Sequence, residues 1–523
     1  MGLRGNKVVF ISLLVFSFLN AYIFMIQHNL ISSTSSYFLL FYSTLVLTLF
    51  FFALSCFIRC KLKNSKLKLF EENFSNSVSL KRYSLIIWIV QLVCWLPVFL
   101  AYYPGLFTYD VAGQVTKTFG SYNTHQPLLH TLYIKFFYNF IGGKVLNDYT
   151  SGIALATIAQ MIIFSASLSY AQAFLRKSNV SKLVRYLLIL FVCTSPIFSL
   201  LAISMTKDTF FTCGVLLFIT SFAYHVRFPN LGNKRSIYIY IFSIIAVVLL
   251  RNNGIFAIIA YLLIIVIRYL KEREDCKFLL RTIISVVLAI FFSMGLKTAL
   301  QATSGSINEA LSVPYQQIAC AYNDKKDQLS EEEKKEIFKF VPDVEHYDQS
   351  LSDPVKYEGR ASEDFLGFAN LYFEMFARFP GSYFKAFCML NAGYFSPTDT
   401  SFAEIYGTKN RQGIFLTDTK EGFQVEHTSY FPQLEKLYER LYTENKYEKI
   451  PVLNISCSPS IYFWILVFLI IYSIYKKQFK LSSITAFLVV FLLTLLASPA
   501  CLIRYALPLI VCIPIFCTCV LKE

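Results

Sequence analysis

SIYIYIFSIIAVVLL (236–250), RNNG (251–254) and IFAIIAYLLIIVIRYL (255–270) follow one another without interruption, so that a four-residue polar break separates two apolar runs of helical length. A bilayer core of roughly 30 Å takes about 20 apolar residues in helical form. Two such runs joined by a tight turn read as a membrane hairpin. At 1.5 Å per residue, the first run of about fifteen residues rises only ~22 Å. Arg251 should therefore lie below the membrane surface, where a guanidinium needs a cavity, an anion or a partner.

Working outward from this hairpin, runs of the same kind recur along the chain, at about 8–26, 37–58, 84–103, 150–174, 184–203, 209–226, 236–250, 254–270, 281–300, 460–475, 481–498 and 501–520. Twelve spans are expected, in an all-α polytopic membrane protein. Hydrophobic residues make up 55% of the chain and charged residues 15%, against roughly 25% charged in soluble domains, which excludes a wholly soluble protein. The 17% aromatic content excludes disorder. No removable signal peptide is expected, since Val8 to Ile26 is long enough to span and no small-residue cleavage site follows it.

Lys and Arg set the orientation, because short loops rich in them stay cytoplasmic. With the N-terminus inside, the cytoplasmic connections carry 25 Lys and Arg and the short outer ones seven. Both termini then face the cytoplasm. The segment 301–458 holds no span, falls outside the membrane on the outer face, and carries 16 basic and 24 acidic residues. The formal charge of +15 is thus largely topological, which argues against nucleic acid as a partner, since that requires a basic stripe on a soluble face. Three domains follow: a membrane domain 1–300 with its outer loop 104–149, an extracytoplasmic helical domain 301–458, and a C-terminal membrane segment 459–523. In the helical domain, Ser330-Glu331-Glu332-Glu333 has the spacing of a capping box and predicts a helix over about 330–341, ended by Pro342. A second, amphipathic helix is expected over about 362–378. The thirteen cysteines are scattered through apolar runs without metal-ligand spacing and read as packing residues; no metal site is expected.

Four polar groups fall in outer connections. Tyr103-Pro104-Gly105 ends the third span, and Asp110 follows in an apolar, aromatic loop that would raise its basicity. The same loop continues through His125-Gln126-Pro127 to His130, where Leu128 to Phe140 has the periodicity of a surface-lying helix. Met205-Thr206-Lys207-Asp208 forms a tight connection after Ser195-Pro196. Arg251-Asn252-Asn253-Gly254 is the third group, and Arg504-Tyr505 opens the last span. One acid and three cation-bearing groups suggest one outward-facing cavity. Arg suits a phosphate because its planar fork donates bidentately, and a lipid-linked phosphate can enter sideways from the bilayer. The alternative reading of Arg251 is a structural partner of Asp208 or of a helix-end carbonyl.

The loop aspartate, the later His125-Gln126-Pro127-Leu128, the large outer segment and the C-terminal Arg504-Tyr505 resemble the C-type glycosyltransferase (GT-C) superfamily, exemplified by protein mannosyltransferases and aminoarabinose transferases. Tyr103-Pro104-Gly105 with Asp110 and Gln114, Lys207-Asp208, Arg251 to Gly254, Pro314 to Ala319 and Ser352 to Lys356 are similar to an uncharacterised bacterial membrane family placed in that superfamily. The resemblance implies a polyprenyl-phosphate-sugar donor, an envelope glycan or lipid acceptor at the outer face of the cell membrane, and Asp110 as catalytic base. It implies phosphate contacts from Lys207, Arg251 and Arg504, with His125, His130, Asp208, Asn252, Asn253 and Tyr505 also lining the substrate site. Many members carry a second carboxylate beside the loop aspartate, whereas Val111 stands there in this chain. No resident cofactor is expected, with a divalent metal left open. The competing readings are an envelope-polymer ligase or polymerase, a lipid or solute transporter, and a scaffold using the outer domain.

Overall fold

Long apolar runs become helices because a chain in hydrocarbon must satisfy its own backbone hydrogen bonds, and a helix does so within one segment. The computed structural model describes residues 3–31, 34–64, 69–71, 79–106, 111–115, 117, 121–229, 234–272, 276–397, 424–442 and 449–522. Among them there is no β-strand, and extended pairing is confined to isolated bridges.

The amino-terminal half holds α1 (Leu3–Gln27), α2 (Thr34–Asn64), α3 (Leu80–Ala101), the short α4 (Val111–Val115) and α5 (Leu128–Lys135), then α6 (Tyr149–Lys177), α7 (Lys182–Thr194), α8 (Pro196–Ile203) and α9 (Lys207–Arg227). The hairpin of the opening stretch is α10 (Lys234–Leu250) and α11 (Gly254–Glu272), and α12 (Cys276–Ala299) follows. A polar segment holds α13 (Ser312–Lys325), α14 (Glu331–Phe340), α15 (Asp353–Lys356), α16 (Phe365–Arg378), α17 (Pro380–Leu390), α18 (Ala392–Phe395) and α19 (Pro432–Tyr442). The chain closes with α20 (Pro451–Cys457), α21 (Pro459–Tyr475), α22 (Ser482–Leu496) and α23 (Ile503–Lys522).

Nine of these helices are long and apolar enough to cross a membrane, and two bent pairs bring the count to eleven among the described residues. The chain is an all-helical, multi-pass membrane protein. The expected run 184–203 is two helices, α7 and α8, meeting at 52°, and α20 meets α21 at 59°. Both breaks fall at Ser-Pro, where proline starts a helix but cannot continue the one before it. The run 236–250 is helical yet shorter than a full span.

The main core joins α3, α6, α8 to α11 and α21 to α23. Within it α9 packs on α6, α10 and α23, and α11 on α22. Trp95 of α3 donates its indole N–H to the carbonyl of Val192 at 3.1 Å. The polar segment has a separate core, with Tyr315, Ile318, Ile337, Phe340, Phe368 and Tyr383 buried together. Its α14 starts at the expected capping box, with Ser330 accepting from the Glu333 amide and Glu333 from the Ser330 amide. The amphipathic run is α16, capped by Asp364. Beyond it, Cys388, Met389, Tyr394 and Phe395 leave that core and join the main one. Leu128 to Phe140 is helical as expected, as α5 followed by a π-helical stretch, Phe136–Leu146.

A cationic cleft at one end of the bundle

The site is built on the first turn of α9. The chain before it is held by Gln160 of α6, whose side-chain amide donates to the carbonyls of Ala202 at 2.8 Å and Ser204 at 2.7 Å. Leu106 pairs with the same stretch: its amide donates to the Ile203 carbonyl at 3.0 Å and its carbonyl accepts from Met205 at 2.9 Å. Gly105 makes this approach possible. It sits at φ +142°, and a Cβ there would lie 2.5 Å from the Thr157 hydroxyl, a conformation and a closeness that only glycine tolerates.

Asp208, in the first turn of α9, is 2% exposed. The α10–α11 turn brings Arg251 to it, with Nη1 3.1 Å from Oδ1. Glycine at 254 permits that turn's close approach, since a Cβ there would stand 2.2 Å from the Val247 carbonyl oxygen. From the start of α23, Arg504 places Nε 3.7 Å from the other carboxylate oxygen. The Tyr505 ring lies under both guanidiniums, 4.4 Å from that of Arg251 and 5.2 Å from that of Arg504. Beside Asp208, Lys207 donates to the Gln126 side-chain carbonyl at 2.6 Å. Lys207, Asp208 and Arg504 line a narrow cleft with Gln114, Gln126 and His130. His130 is buried, beside the Tyr133 and Phe210 rings.

Five of the expected site residues, Lys207, Asp208, Arg251, Arg504 and Tyr505, thus share one cluster, and His130 lines the same cleft. His125 does not enter it. It is exposed and faces outward to Glu309 of the polar domain, 3.8 Å away, because Thr124 beside it is tied to the Thr303 carbonyl. Asn252 is likewise at the rim, donating to the Thr124 carbonyl at 2.9 Å, and Asn253 is partly exposed in the turn. Asp110 lies outside the described residues. Leu106 and Val111, on either side of it in sequence, both belong to the wall around Met205.

Several contributors carry no charge and left no depth signal in the sequence. Gln160 is one. Tyr394 is another: its buried hydroxyl lies among Cys501, Arg251 and Tyr505. The motifs in the polar domain act at a distance from the cleft. Ser352 donates its amide to the Pro499 carbonyl at 3.0 Å, and Leu351 bridges to Ala500, which docks the domain just ahead of Arg504. The Tyr315 hydroxyl meets Asn308 and the Ala361 amide, so that motif organises the domain's own core. Among the described residues no group of three or more His, Cys, Asp or Glu is placed to hold a metal ion.

Fold and cleft together define a class: a multi-pass helical membrane protein with a buried carboxylate held between guanidiniums at one end of its bundle. Residues 139–523 match the model of a family of unknown function, DUF6020, and the chain belongs to that family. The matched region contains Lys207, Asp208, Arg251, Arg504 and Tyr505 and begins after Asp110, His125 and His130. No curated protein and no solved structure matches the chain.

Proposed function

We propose that the chain is a membrane glycosyltransferase that moves a sugar from a polyprenyl-phosphate donor to a hydroxyl of a cell-envelope glycan or lipid, at the outer face of the membrane. The observation that carries this reading is the convergence of three cations around Asp208, Lys207 and Arg504 lining the cleft and Arg251 paired with the carboxylate, from two helix starts and one interhelical turn. Such a cleft suits an anion, and the polyprenyl chain of the donor would lie in the surrounding bilayer.

The chemistry gives the cations a differential role. In a sugar phosphodiester the phosphate carries one negative charge; when the acceptor oxygen attacks the anomeric carbon and the sugar–phosphate C–O bond breaks, the electron pair leaves on phosphate. The leaving polyprenyl phosphate then carries about one further negative charge. Fixed guanidiniums therefore favour the departing state over the bound donor, which is the condition for lowering a barrier rather than only tightening binding. The proton of the acceptor hydroxyl passes to Asp110, a role worth roughly 10²–10⁴-fold, and the sugar inverts in a single displacement. A transporter would place its charged groups near the bilayer midplane, whereas these gather at helix ends.

The test is mass spectrometry of envelope glycans and lipid-linked sugars in cells with and without the chain, together with cells carrying Asp110→Asn. A missing substituent with accumulated donor in both altered strains is the expected result. Unchanged glycans and donor pools on removal of the chain would overturn the reading, and a normal profile in Asp110→Asn alone would remove Asp110 as the base.

A further inference from the structure

The helices of the polar domain present two kinds of outward face. On α14 it is charged, with Glu332, Lys335, Glu336 and Lys339 exposed, as expected of a helix side in water. On α16 it is apolar. Phe368, Leu371 and Met375 are buried in the domain core, and on the opposite side of the helix Leu366 and Phe373 are 76% and 65% exposed, with Phe376 beside them. Asn370, Glu374 and Arg378, four residues apart, form an exposed polar edge between the two apolar faces. Phe384, on α17 just past the Phe379-Pro380 corner, is exposed as well.

A contiguous apolar patch of this kind marks a contact surface, and its level along the bundle says what covers it. Helix α17 packs against α1, where the Phe384 ring lies 5.2 Å from that of Tyr22 and 6.4 Å from that of Phe18, centroid to centroid. The apolar stretch of α1 runs over Asn6–Gln27, 22 residues. Its rise of about 33 Å is taken up by a bilayer core of roughly 30 Å. Beyond Phe18 and Tyr22 the helix still rises about 14 and 8 Å before it reaches Gln27. Phe384 is therefore level with hydrocarbon and not with water, and the α16–α17 corner is carried down with it.

We infer that this corner is sunk in the leaflet beside α1, with Leu366, Phe373, Phe376 and Phe384 against lipid acyl chains and the Asn370, Glu374 and Arg378 edge turned to headgroups and water. Arg378 pairs with Glu333 of the charged helix α14, which puts that edge on the wet side of the domain. A helix with an apolar face in the acyl region and polar residues along its flank is the arrangement of interfacial membrane helices. The polar domain then rests partly in the membrane instead of wholly above it. This inference is independent of the proposed sugar transfer and stands or falls without it.

Photocrosslinking of the full chain in phosphatidylcholine vesicles tests it. p-Benzoylphenylalanine is placed singly at Phe373 and at Leu366, both exposed, so that a larger ring displaces no core side chain. Val15, on the exposed side of α1, serves as the lipid-facing reference and Lys335 of α14 as the water-facing one. Mass spectrometry should find phospholipid adducts at Phe373 and Leu366 in yields comparable with Val15 and many-fold above Lys335. Adducts at both positions no more abundant than at Lys335 would overturn the proposal. A crosslinked dimer of the chain in place of lipid adducts would overturn it in favour of a second copy on this face.

Discussion

At the cleft, one carboxylate, Asp208, is shared by two guanidiniums at 3.1 and 3.7 Å; in the polar domain, one ammonium, Lys356, is shared by two carboxylates, Glu309 at 2.6 Å and Asp353 at 2.7 Å. The two clusters are near mirror images in charge, and both bury the shared group, Asp208 at 2% and Lys356 at 4% side-chain exposure. They differ in how much water reaches the outer partners. Glu309 and Asp353 are about a third open to water, so the surplus negative charge of the polar domain is hydrated. Arg251 and Arg504 are 11% and 16% exposed, so the guanidiniums that hold Asp208 are largely without solvent. Keeping charge away from water is costly unless it is paired. The contact lengths agree: short and closed around Lys356, longer and open around Asp208. The first arrangement holds a fold together, and the second, looser one is where the proposed donor phosphate would bind.

The sharpest way to break this comparison is Asp208→Asn. It takes a buried counter-charge away from two mostly buried guanidiniums, a change that costs about 3–5 kcal/mol when one partner of a buried pair is removed. A large fall in the melting temperature of the detergent-solubilised chain is expected. A short polyprenyl phosphate should then restore more of that loss than it adds to the wild type, because the phosphate substitutes for the missing carboxylate. An equal shift in both would mean that the cluster is closed, like that of Lys356.

Arg251→Ala comes next. If the guanidinium meets donor phosphate, the loss of a charge-assisted contact of roughly 1.5–3 kcal/mol should remove most of the ligand-induced melting shift. Arg251→Lys should keep the charge but lose the bidentate fork and fall between the two. Because Arg251 also pairs with Asp208, both variants should melt lower without ligand. The decisive quantity is the shift on adding polyprenyl phosphate, and an unchanged shift in Arg251→Ala would refute the clamp.

The ion pair that gives these two predictions their form was legible in the sequence only as one of several options. Asp208, Arg251 and Arg504 were each visible, since a charge next to a long apolar run is costly enough to stand out. Their pairing was not, because it joins the starts of α9 and α23 to the α10–α11 turn across long chain separations. The membrane helices were legible for the same reason that the bilayer imposes them, a required length of apolar chain. Composition does not sense direction, and so the Ser195-Pro196 and Ser458-Pro459 bends broke runs that hydropathy reads as continuous. His125 was misleading in its position: it neighbours Gln126, which does reach Lys207, but consecutive residues point different ways, and Thr124 and Gly305 hold His125 to the polar domain. Gln160 and Tyr394 gave no signal, since a neutral side chain inside an apolar helix carries no charge to explain.

Lys356→Met tests the closed cluster. The two carboxylates it abandons are partly hydrated, so the cost should be nearer ~1–2 kcal/mol, as when a single charged hydrogen-bonding partner is lost, and polyprenyl phosphate should not rescue it. The same residue predicts an alkaline limit. Burial works against the Lys356 charge, but Asp353 and Glu309 outweigh it and hold the pKa above the ordinary lysine value of 10.5. A folded-state pKa above the unfolded one means stability that is fully present below 10.5 and is lost as pH rises through the higher, folded value. Melting of the wild type should therefore fall on the far alkaline side, and Lys356→Met should lose that component of the decline.

The smallest expected effect marks the polar domain as separate from the cleft. Ser330 caps α14 by accepting from the Glu333 amide, while Glu333 accepts from the Ser330 amide at 2.7 Å and meets Arg378. Ser330→Ala removes one half of this box and should cost about 1 kcal/mol. The loss falls on a helix whose buried face, Ile337 and Phe340, belongs to the polar domain's own core, so the response to polyprenyl phosphate should be that of the wild type. Glu333 adds a pH dependence of the opposite sign to that of Lys356. The backbone hydrogen bond from Ser330, with help from Arg378, lowers its carboxyl below the ordinary 4.5. Its contribution is therefore present above 4.5 and fades as pH falls through the lower, folded value. Glu333 is 40% exposed, so solvent screening keeps that limb shallow. Hydrogen exchange of the α14 amides, compared between pH 6 and pH 4 in wild type and Ser330→Ala, measures it: protection should drop in the variant at both values, with no change at the amides of α9. Loss of protection at the start of α9 as well would mean that the two regions unfold as one unit, and the contrast between a closed structural cluster and an open anion cleft would then need a single cooperative core behind both.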